Sequence, residues 1–451
     1  MRIILDIPIM LSDVICAVSG RVNDAPIKKI VYAISTDSRE CEDGDLYFSL
    51  ASTHEKRIEY AADAMARGGI PICDADGFIR VESTEKALLS LAAFYKSRLP
   101  YLSHTVGITG SVGKSTTKRY TTKILSQFYK VSSTIGNFNN RIGISLSILS
   151  ARRDTQILVL EMGMNHKGEI REMAEVIRPD FCVITNIGSA HIGNLGGREA
   201  IRDAKCEIIT DSTSVVFFPA NEPLLENIPH GVSLSPFGDN ADIILKNEGE
   251  DFYVVTPKKR IEVIRPPING YHNLSNLLYA LAVGIFIGLN DSELKSASKS
   301  LSDDFLNARL HNLKRFTLID DTYNSSPEAA KAMIDYLLAY PSPRFAVLSD
   351  MLELGATSGE LHYALGQKAA RLDGIYLIGQ YADDTARGAI DSGMHKDRIR
   401  IIQNTDSDAI ADILYSEIKE GTVLIKGSHA TRLCDVVKKL CIIGDQTTDE
   451  R

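Results

Sequence analysis

Short, uninterrupted apolar runs alternate with helical stretches in two separate parts of this chain, and that alternation restricts the fold more than any other feature. Between residues 157 and 221 the runs are ILVLEMG (157–163), FCVITNIG (181–188) and VVFFPAN (215–221), with the helical stretches IREMAEVI and REAIRDAKCEII between them. A strand that is apolar at every position, not every second one, needs cover on both faces. Strands of that kind separated by helices predict a mostly parallel sheet with helices packed on it. From about residue 305 the pattern restarts as TLIDD, FAVLSD, GIYLIG, RIRIIQ and TVLIKG. Residues 1–99 differ. They hold strand-like VYAIS and DLYFSL, the polar turn Thr36-Asp37-Ser38-Arg39, and the helix-like YAADAMARG and EKALLSLAAFYKSRL, which runs up to Pro100. A chain of 451 residues exceeds what one core supports, and its length alone suggests about three domains.

Bulk properties remove several function classes. A formal charge of −8 opposes a general affinity for nucleic acid or anionic membranes. The seven cysteines (Cys16, Cys41, Cys73, Cys182, Cys206, Cys434, Cys441) stand singly, the pattern of reduced thiols in a cytoplasmic protein and not of a disulfide frame or zinc site. Asp6 and Pro8 interrupt the apolar N-terminus, against a signal peptide, and no run approaches the ~20 apolar residues of a membrane span. The expectation is a cytoplasmic protein, not inserted in a membrane, with nothing that demands more than a monomer.

The strongest motif is Gly107-Ile-Thr-Gly-Ser-Val-Gly-Lys-Ser115, set between a strand and a helix predicted from Lys114 to about Tyr129. Across Thr109, Gly110, Ser111, Val112 and Gly113 the backbone can curl its N–H groups around phosphate oxygens. Lys114 adds a point charge, Ser115 a hydroxyl for Mg²⁺, and the helix its positive end. The spacing is a variant, with Ile108 where the strict pattern has glycine. The expected architecture is therefore α/β in three domains: a small mixed α/β N-terminal domain (1–99), a central P-loop ATPase-like parallel-sheet domain (100–304), and a C-terminal Rossmann-like α/β domain (305–451).

Ligands of open parallel sheets sit beyond the carboxyl ends of the strands. Glu161 directly follows ILVL, and His191 lies in the loop after FCVITN. Such a pair could hold Mg²⁺ against ATP oxygens; singly, each reads equally as a solvated or hydrogen-bonded group. Lys205 lies on or beside the apolar stripe Ala200, Ile201, Ala204, Ile208, Ile209. Two readings stay open for it: a desolvated, nucleophilic amine able to take up CO₂, or a lysine that snorkels to water.

Further segments carry a resemblance. Gly136-Asn137-Phe138-Asn139-Asn140 with Gly143, Glu161-Met-Gly-Met-Asn165 with Gly168-Glu169-Ile170, Asn186 through His191, Ala204-Lys205-x-Glu207, Gly270-x-His272-Asn273-x-x-Asn276, Asp320-Asp321-Thr322-Tyr323-Asn324-x-x-Pro327-Glu328, Asp350-Met351-x-Glu353-Leu354-Gly355 and Lys426-Gly427-Ser428 occur in that order. Together with the phosphate loop they resemble the Mur ligase superfamily over nearly the whole chain, most of all its D-alanyl-D-alanine-adding branch. The resemblance implies ATP as cofactor with Mg²⁺ at two sites. Ser115 and Glu161 would hold one ion, and His191 with a carbamylated Lys205 the other. Lys114 would contact the transferred phosphate, while Asn273, Asn276, Arg309, Asp321 and Asn324 would reach the nucleotide as the C-terminal domain closes.

The implied reaction is phosphorylation of a carboxylate by ATP, then attack of an amine on the acyl phosphate. The implied substrates are a UDP-muramyl-peptide, bound by the N-terminal domain, and D-alanyl-D-alanine, bound by the C-terminal one. Ser35-Thr36-Asp37-Ser38-Arg39 and Gly44-Asp45-Leu46 match the superfamily's UDP-sugar domain, whereas its Gly…Asp-Gly-His stretch reads Ser52…Lys56-Arg57-Ile58 here. Ser349 replaces a glycine before Asp350, and His429 stands where an arginine usually follows Lys-Gly-Ser. Two alternatives accompany the reading: a ligase of the same chemistry with another acid and amine, and a nucleotide-dependent regulatory protein without ligation.

Overall fold

The structure is a computed structural model, and it describes residues 1–451 apart from 23–27, 191, 239, 250, 265–270, 302–308, 405 and 447–451. The apolar runs form strands of three separate sheets, giving the three-part α/β architecture expected from the alternation.

The N-terminal sheet contains β1 (Arg2–Met10), β2 (Ile30–Ser35), β3 (Leu46–Phe48), β4 (Ile70–Cys73) and β5 (Ile79–Arg80) in that order. Only β1 pairs antiparallel with its neighbour. β1 is a strand that the pattern of apolar runs does not mark, although Ile3, Leu5 and Ile9 alternate inward while Ile4 faces out. Asp6 and Pro8, which break the run, lie where its register with β2 shifts.

The central sheet has nine strands: β6 (His104–Thr109), β7 (Val131–Ser133), β8 (Ile157–Glu161), β9 (Phe181–Ile184), β10 (Val215–Pro219), β11 (Gly231–Pro236), β12 (Ile243–Glu248), β13 (Asp251–Val255) and β14 (Arg260–Val263). Their order is β14-β13-β12-β11-β10-β9-β6-β8-β7. All pairs are parallel except β12–β13 and β13–β14. That antiparallel extension was absent from the sequence expectation, because its strands are half-buried and alternate instead of running apolar throughout. Every residue of β8 and β9 is buried, as their composition requires.

The C-terminal sheet has the order β15-β16-β20-β17-β18-β19, from β15 (Arg309–Asn312), β16 (Thr317–Asp321), β17 (Arg344–Ser349), β18 (Gly374–Ile378), β19 (Ile399–Ile401) and β20 (Thr422–Lys426). It is parallel apart from the edge strand β15. Two helix ends differ from expectation. The helix after the phosphate loop spans Lys114–Leu125, and its C-terminal carbonyl at Leu125 takes the N–H groups of Phe128 and Tyr129 in a closing turn. The helix carrying Lys205 ends at Cys206, so Ile208 and Ile209 follow it in a turn. No helix among the described residues is long and apolar enough to cross a membrane.

Candidate active site

The carboxyl ends of β6, β8 and β9 point to one edge of the central sheet, and the residues that follow them build the site. Ile108 pairs with Glu161 and Thr109 with Ile184, so the phosphate loop, the Glu161 carboxylate and Thr185-Asn186 leave the sheet side by side. The loop is shaped by backbone that only glycine tolerates: Gly110 has φ +145° and Gly113 φ +88°. A Cβ on Gly110 would overlap the Thr185 side chain, and one on Gly113 would meet Asn276 Oδ1 at 2.5 Å.

Asn186 holds the loop by both ends of its amide. Its Oδ1 accepts from the N–H groups of Ser111 (3.2 Å) and Val112 (3.0 Å), and its Nδ2 donates to Val112 O at 2.9 Å. Thr185 Oγ1 also donates to Val112 O, at 2.6 Å. The loop is thus fixed before any phosphate arrives, which removes reorganisation cost from binding. Lys114 Nζ donates to Gly110 O at 2.7 Å. Burial lowers its pKa, and the nearby Glu161 carboxylate opposes that shift.

Glu161 is 1% exposed. Its Oε1 accepts from Ser115 Oγ (3.0 Å) and Asn139 Nδ2 (2.9 Å). Its Oε2 faces the Lys118 ammonium at 3.2 Å, a buried pair with side chains 1% and 6% exposed. Lys118 also donates to Gly136 O, tying the Gly136–Asn140 segment to the carboxylate. Sequence reasoning missed Lys118, although it stands four residues after Lys114 on the same helix face.

Breaking a buried pair leaves an uncompensated charge and costs about 3–5 kcal/mol. Lys118→Met is therefore expected to lose about 3 kcal/mol in denaturant unfolding. Adding Glu161→Gln to it should restore part of that loss. Equal losses with and without the second change would contradict the pairing.

Ser115 Oγ and the Glu161 carboxylate are two oxygen donors on the wall of the cleft. They fit Mg²⁺, which takes one or two protein oxygens and completes its shell with phosphates and water. Among the described residues no group of three or more His, Cys, Asp or Glu side chains forms a self-sufficient metal cage.

Lys205 is only 2% exposed, so the snorkelling alternative fails. Among the described residues its ammonium has no hydrogen bond or ion pair, and its pKa falls well below the ordinary lysine value through burial and then repulsion by Lys114. His191, its expected companion, lies outside the described residues. Arg309 begins β15, but its side chain is likewise not described.

The remaining expected residues meet in one cleft of about 750 Å³, lined by Ser111–Ser115, Glu161, Asn273, Asn276, Asp321 and Asn324. Thr109 ends β6 and Gly110 follows it, its carbonyl accepting from Lys114 Nζ; neither is among the lining residues. Asn276 accepts from Thr117 Oγ1 at 3.1 Å, fastening the helix Tyr271–Ile287 to the phosphate-loop helix. On the opposite wall Asp321, the last residue of β16, pairs at 3.1 Å with Lys426, the 1% exposed last residue of β20. Lys426 also donates to Asn324 O, which shapes the loop after β16. Glu328 and Tyr323 join the same lining. The roles of Asn186 and Glu328 escaped the sequence reading, because each depends on contacts between segments 73 or more residues apart.

Comparison with known proteins matches this architecture. The Mur ligase middle domain family covers residues 108–284, and the Mur ligase glutamate ligase domain family covers 308–429. The UDP-N-acetylmuramoyl-tripeptide–D-alanyl-D-alanine ligase of Bacillus subtilis (strain 168) is 31% identical, over 91% of this chain and 93% of its own. The enzyme of the same name from Treponema pallidum (strain Nichols) is 32% identical, over 93% and 96%. Among solved structures, MurF from Acinetobacter baumannii superposes with a TM-score of 0.84 at 26% identity, covering 98% of this chain and all of that one. MurF from Thermotoga maritima in complex with ADP gives 0.78 at 27% identity, over 92% and 98%. With its cleft, its order of motifs and relatives aligned end to end, the chain belongs to the UDP-N-acetylmuramoyl-tripeptide–D-alanyl-D-alanine ligases, the ATP-dependent amide-forming MurF branch of the Mur ligases.

Proposed function

We propose that this chain joins D-alanyl-D-alanine to UDP-N-acetylmuramoyl-tripeptide through an acyl phosphate, as a monomer in the cytoplasm, in the synthesis of peptidoglycan precursors. The observation that carries the reading is the single cleft in which phosphate-loop residues, Glu161 and Asn276 face Asp321 and Asn324 of the C-terminal sheet. Residues 1–99 take the UDP-sugar end of the acid, 100–304 the ATP, and 305–451 the incoming amine.

The phosphate loop and Lys114 hold the β- and γ-phosphates, and Ser115 with Glu161 hold one Mg²⁺. Asn273, Asn276, Arg309, Asp321 and Asn324 meet the rest of the nucleotide. Bound Mg²⁺ supplies Lewis-acid stabilisation of the charge that gathers as carboxylate approaches phosphate. A substrate carboxylate oxygen attacks the γ-phosphorus, the bond to the β-phosphate oxygen breaks, and ADP leaves. The amine nitrogen then attacks the acyl carbon, loses a proton, and phosphate departs with its carbon–oxygen bond broken. Lys114, moved from Gly110 O onto the phosphate, offsets negative charge in both steps. The closed cleft keeps water from the acyl phosphate.

Protonated, Lys205 would repel a cation, and as a neutral amine it offers one no charge. With CO₂ its nitrogen forms a carbamate and releases a proton, which converts a buried amine beside Lys114 into an anion that attracts it. That change would suit a second Mg²⁺ shared with His191, and the isolation and depressed pKa of Lys205 support it.

One observation favours a second reading, the same chemistry on a different acid. In the divergent N-terminal stretch the Arg57 guanidinium is held by Asp74 (2.9 and 2.7 Å) and by Ala51 O (2.9 Å), so the side chain is engaged within the protein. Incubation with Mg·ATP, UDP-N-acetylmuramoyl-tripeptide and D-alanyl-D-alanine decides between them by mass spectrometry. A product equal to acid plus amine minus water supports the first reading. An unchanged acid from a protein that still binds ATP favours the second.

A further inference from the structure

At the rim of the nucleotide cleft, the C-terminal domain grips the central domain at two points. Glu328, in the first turn of the helix Pro327–Leu338, accepts through Oε1 from the Ser189 N–H (2.8 Å) and the Ser189 hydroxyl (2.7 Å). Its carboxylate lies against Gly188. A Cβ there would stand 2.7 Å from Glu328 Cδ and 3.0 Å from Ser111 Cβ, so a larger residue would displace the Glu328 carboxylate. The second oxygen, Oε2, is buried and has no hydrogen-bond partner among the described residues.

A few residues on, the Gly193 N–H donates to Glu353 O at 3.2 Å. Here two backbones touch: a Cβ on Gly193 would lie 2.8 Å from Gly355 N, and one on Gly355 would lie 2.9 Å from Gly193 Cα. Glu353 has φ +62° and Gly355 φ +57°, so the partner loop holds left-handed backbone, at a non-glycine residue as well, exactly where it meets Gly193. Ile192, between the two grips, packs against the C-terminal core as well as the central one. The grips at 188–189 and 192–193 flank His191 in the sequence.

We propose that Glu328 and Gly193 are positioning residues, which fasten the C-terminal domain to the central one at Gly188-Ser189 and at Ile192-Gly193 and hold the cleft in the arrangement that ligates. The proposal rests on the ligase reading for its kinetic effect, but the grip itself is a matter of geometry. Glu328 acts as a hydrogen-bond acceptor, so a glutamine carbonyl should replace it. Gly193 acts by lacking a Cβ. It is not among the positive-φ glycines, so alanine there strains no backbone and only obstructs the approach of Gly355.

The test compares wild type, Glu328→Ala, Glu328→Gln and Gly193→Ala by small-angle scattering in Mg²⁺ with a non-hydrolysable ATP analogue, and by steady-state ligation. Glu328→Ala and Gly193→Ala should show a larger radius of gyration than wild type. Their kcat should fall about tenfold or more, and ATP affinity should weaken by a smaller factor, because the phosphate loop keeps its own contacts while Asp321 and Asn324 move away from the nucleotide. Glu328→Gln should keep the wild-type radius of gyration and recover most of the kcat lost in Glu328→Ala, the remainder reflecting an amide NH2 buried where Oε2 has no partner among the described residues. Wild-type scattering and kcat in Glu328→Ala and Gly193→Ala would overturn the proposal, and so would a Glu328→Gln protein as impaired as Glu328→Ala. If wild type itself fails to ligate this substrate pair, the substrate reading has failed, and the scattering still decides the grip.

Discussion

Lys114→Met is expected to leave a folded protein whose kcat falls about 10²–10³-fold, the scale of losing one preorganised charge at a reacting oxygen. Lys114 is buried, its pKa is lowered by that burial, and among the described residues its ammonium bonds the backbone oxygens of its own loop. The nearby Glu161 carboxylate keeps its partner Lys118 when Lys114 is removed, so thermal stability should hold or rise. Lys114→Arg should not rescue, since the planar guanidinium does not fit the turn between Gly110 and Ser111. Unchanged turnover in Lys114→Met would remove the phosphate loop from the chemistry.

The second large effect is at Lys205. Lys205→Ala should lose about 100-fold or more in ligation, and a small carboxylic acid supplied in the buffer should restore part of it by occupying the space of the carbamate. Bicarbonate should raise the melting temperature of the wild type and not of the variant, because a ligand that binds only the folded state stabilises it. The pH dependence has a definite sign. In bicarbonate-free buffer the folded amine is neutral from its depressed pKa upward, while the unfolded amine stays protonated up to about its ordinary value of 10.5. Over that interval the unfolded state binds one proton more, so stability rises with pH at about 1.4 kcal/mol per unit from this group, and is lost as pH falls. Lys205→Met should remove that slope. Absence of rescue together with no bicarbonate effect would make Lys205 a buried amine with no carbamate.

Much of this was readable in the sequence, and the reason is local. Gly110, Gly113 and Lys114 announce a phosphate loop because one turn of backbone needs all three at fixed spacing. Glu161 is legible because a fully apolar strand must end, and its carboxyl end lies at the ligand edge of a parallel sheet. A short helical stripe places Lys205 on or beside buried surface but leaves open whether its amine reaches water, and the fold decides that.

What escaped depends on distance along the chain. Lys118 is one more lysine on a polar helix until Glu161, 43 residues on, is placed opposite it. The Ser189–Glu328 contact spans 139 residues, and no periodicity encodes it. Likewise β1 and the antiparallel strands β13 and β14 are half-buried, and a short alternating strand gives less signal than a fully apolar one.

Transfer of a carboxylate oxygen to phosphate is the step on which the whole reading turns, and isotope labelling observes it directly. UDP-N-acetylmuramoyl-tripeptide carrying oxygen-18 in its terminal carboxylate is incubated with Mg·ATP, with and without D-alanyl-D-alanine, and the released phosphate is analysed by mass. Ligation through an acyl phosphate gives phosphate bearing a single heavy oxygen, and only when D-alanyl-D-alanine is present. Unlabelled phosphate would mean that ATP is cleaved by water and that this cleft does not ligate by that route.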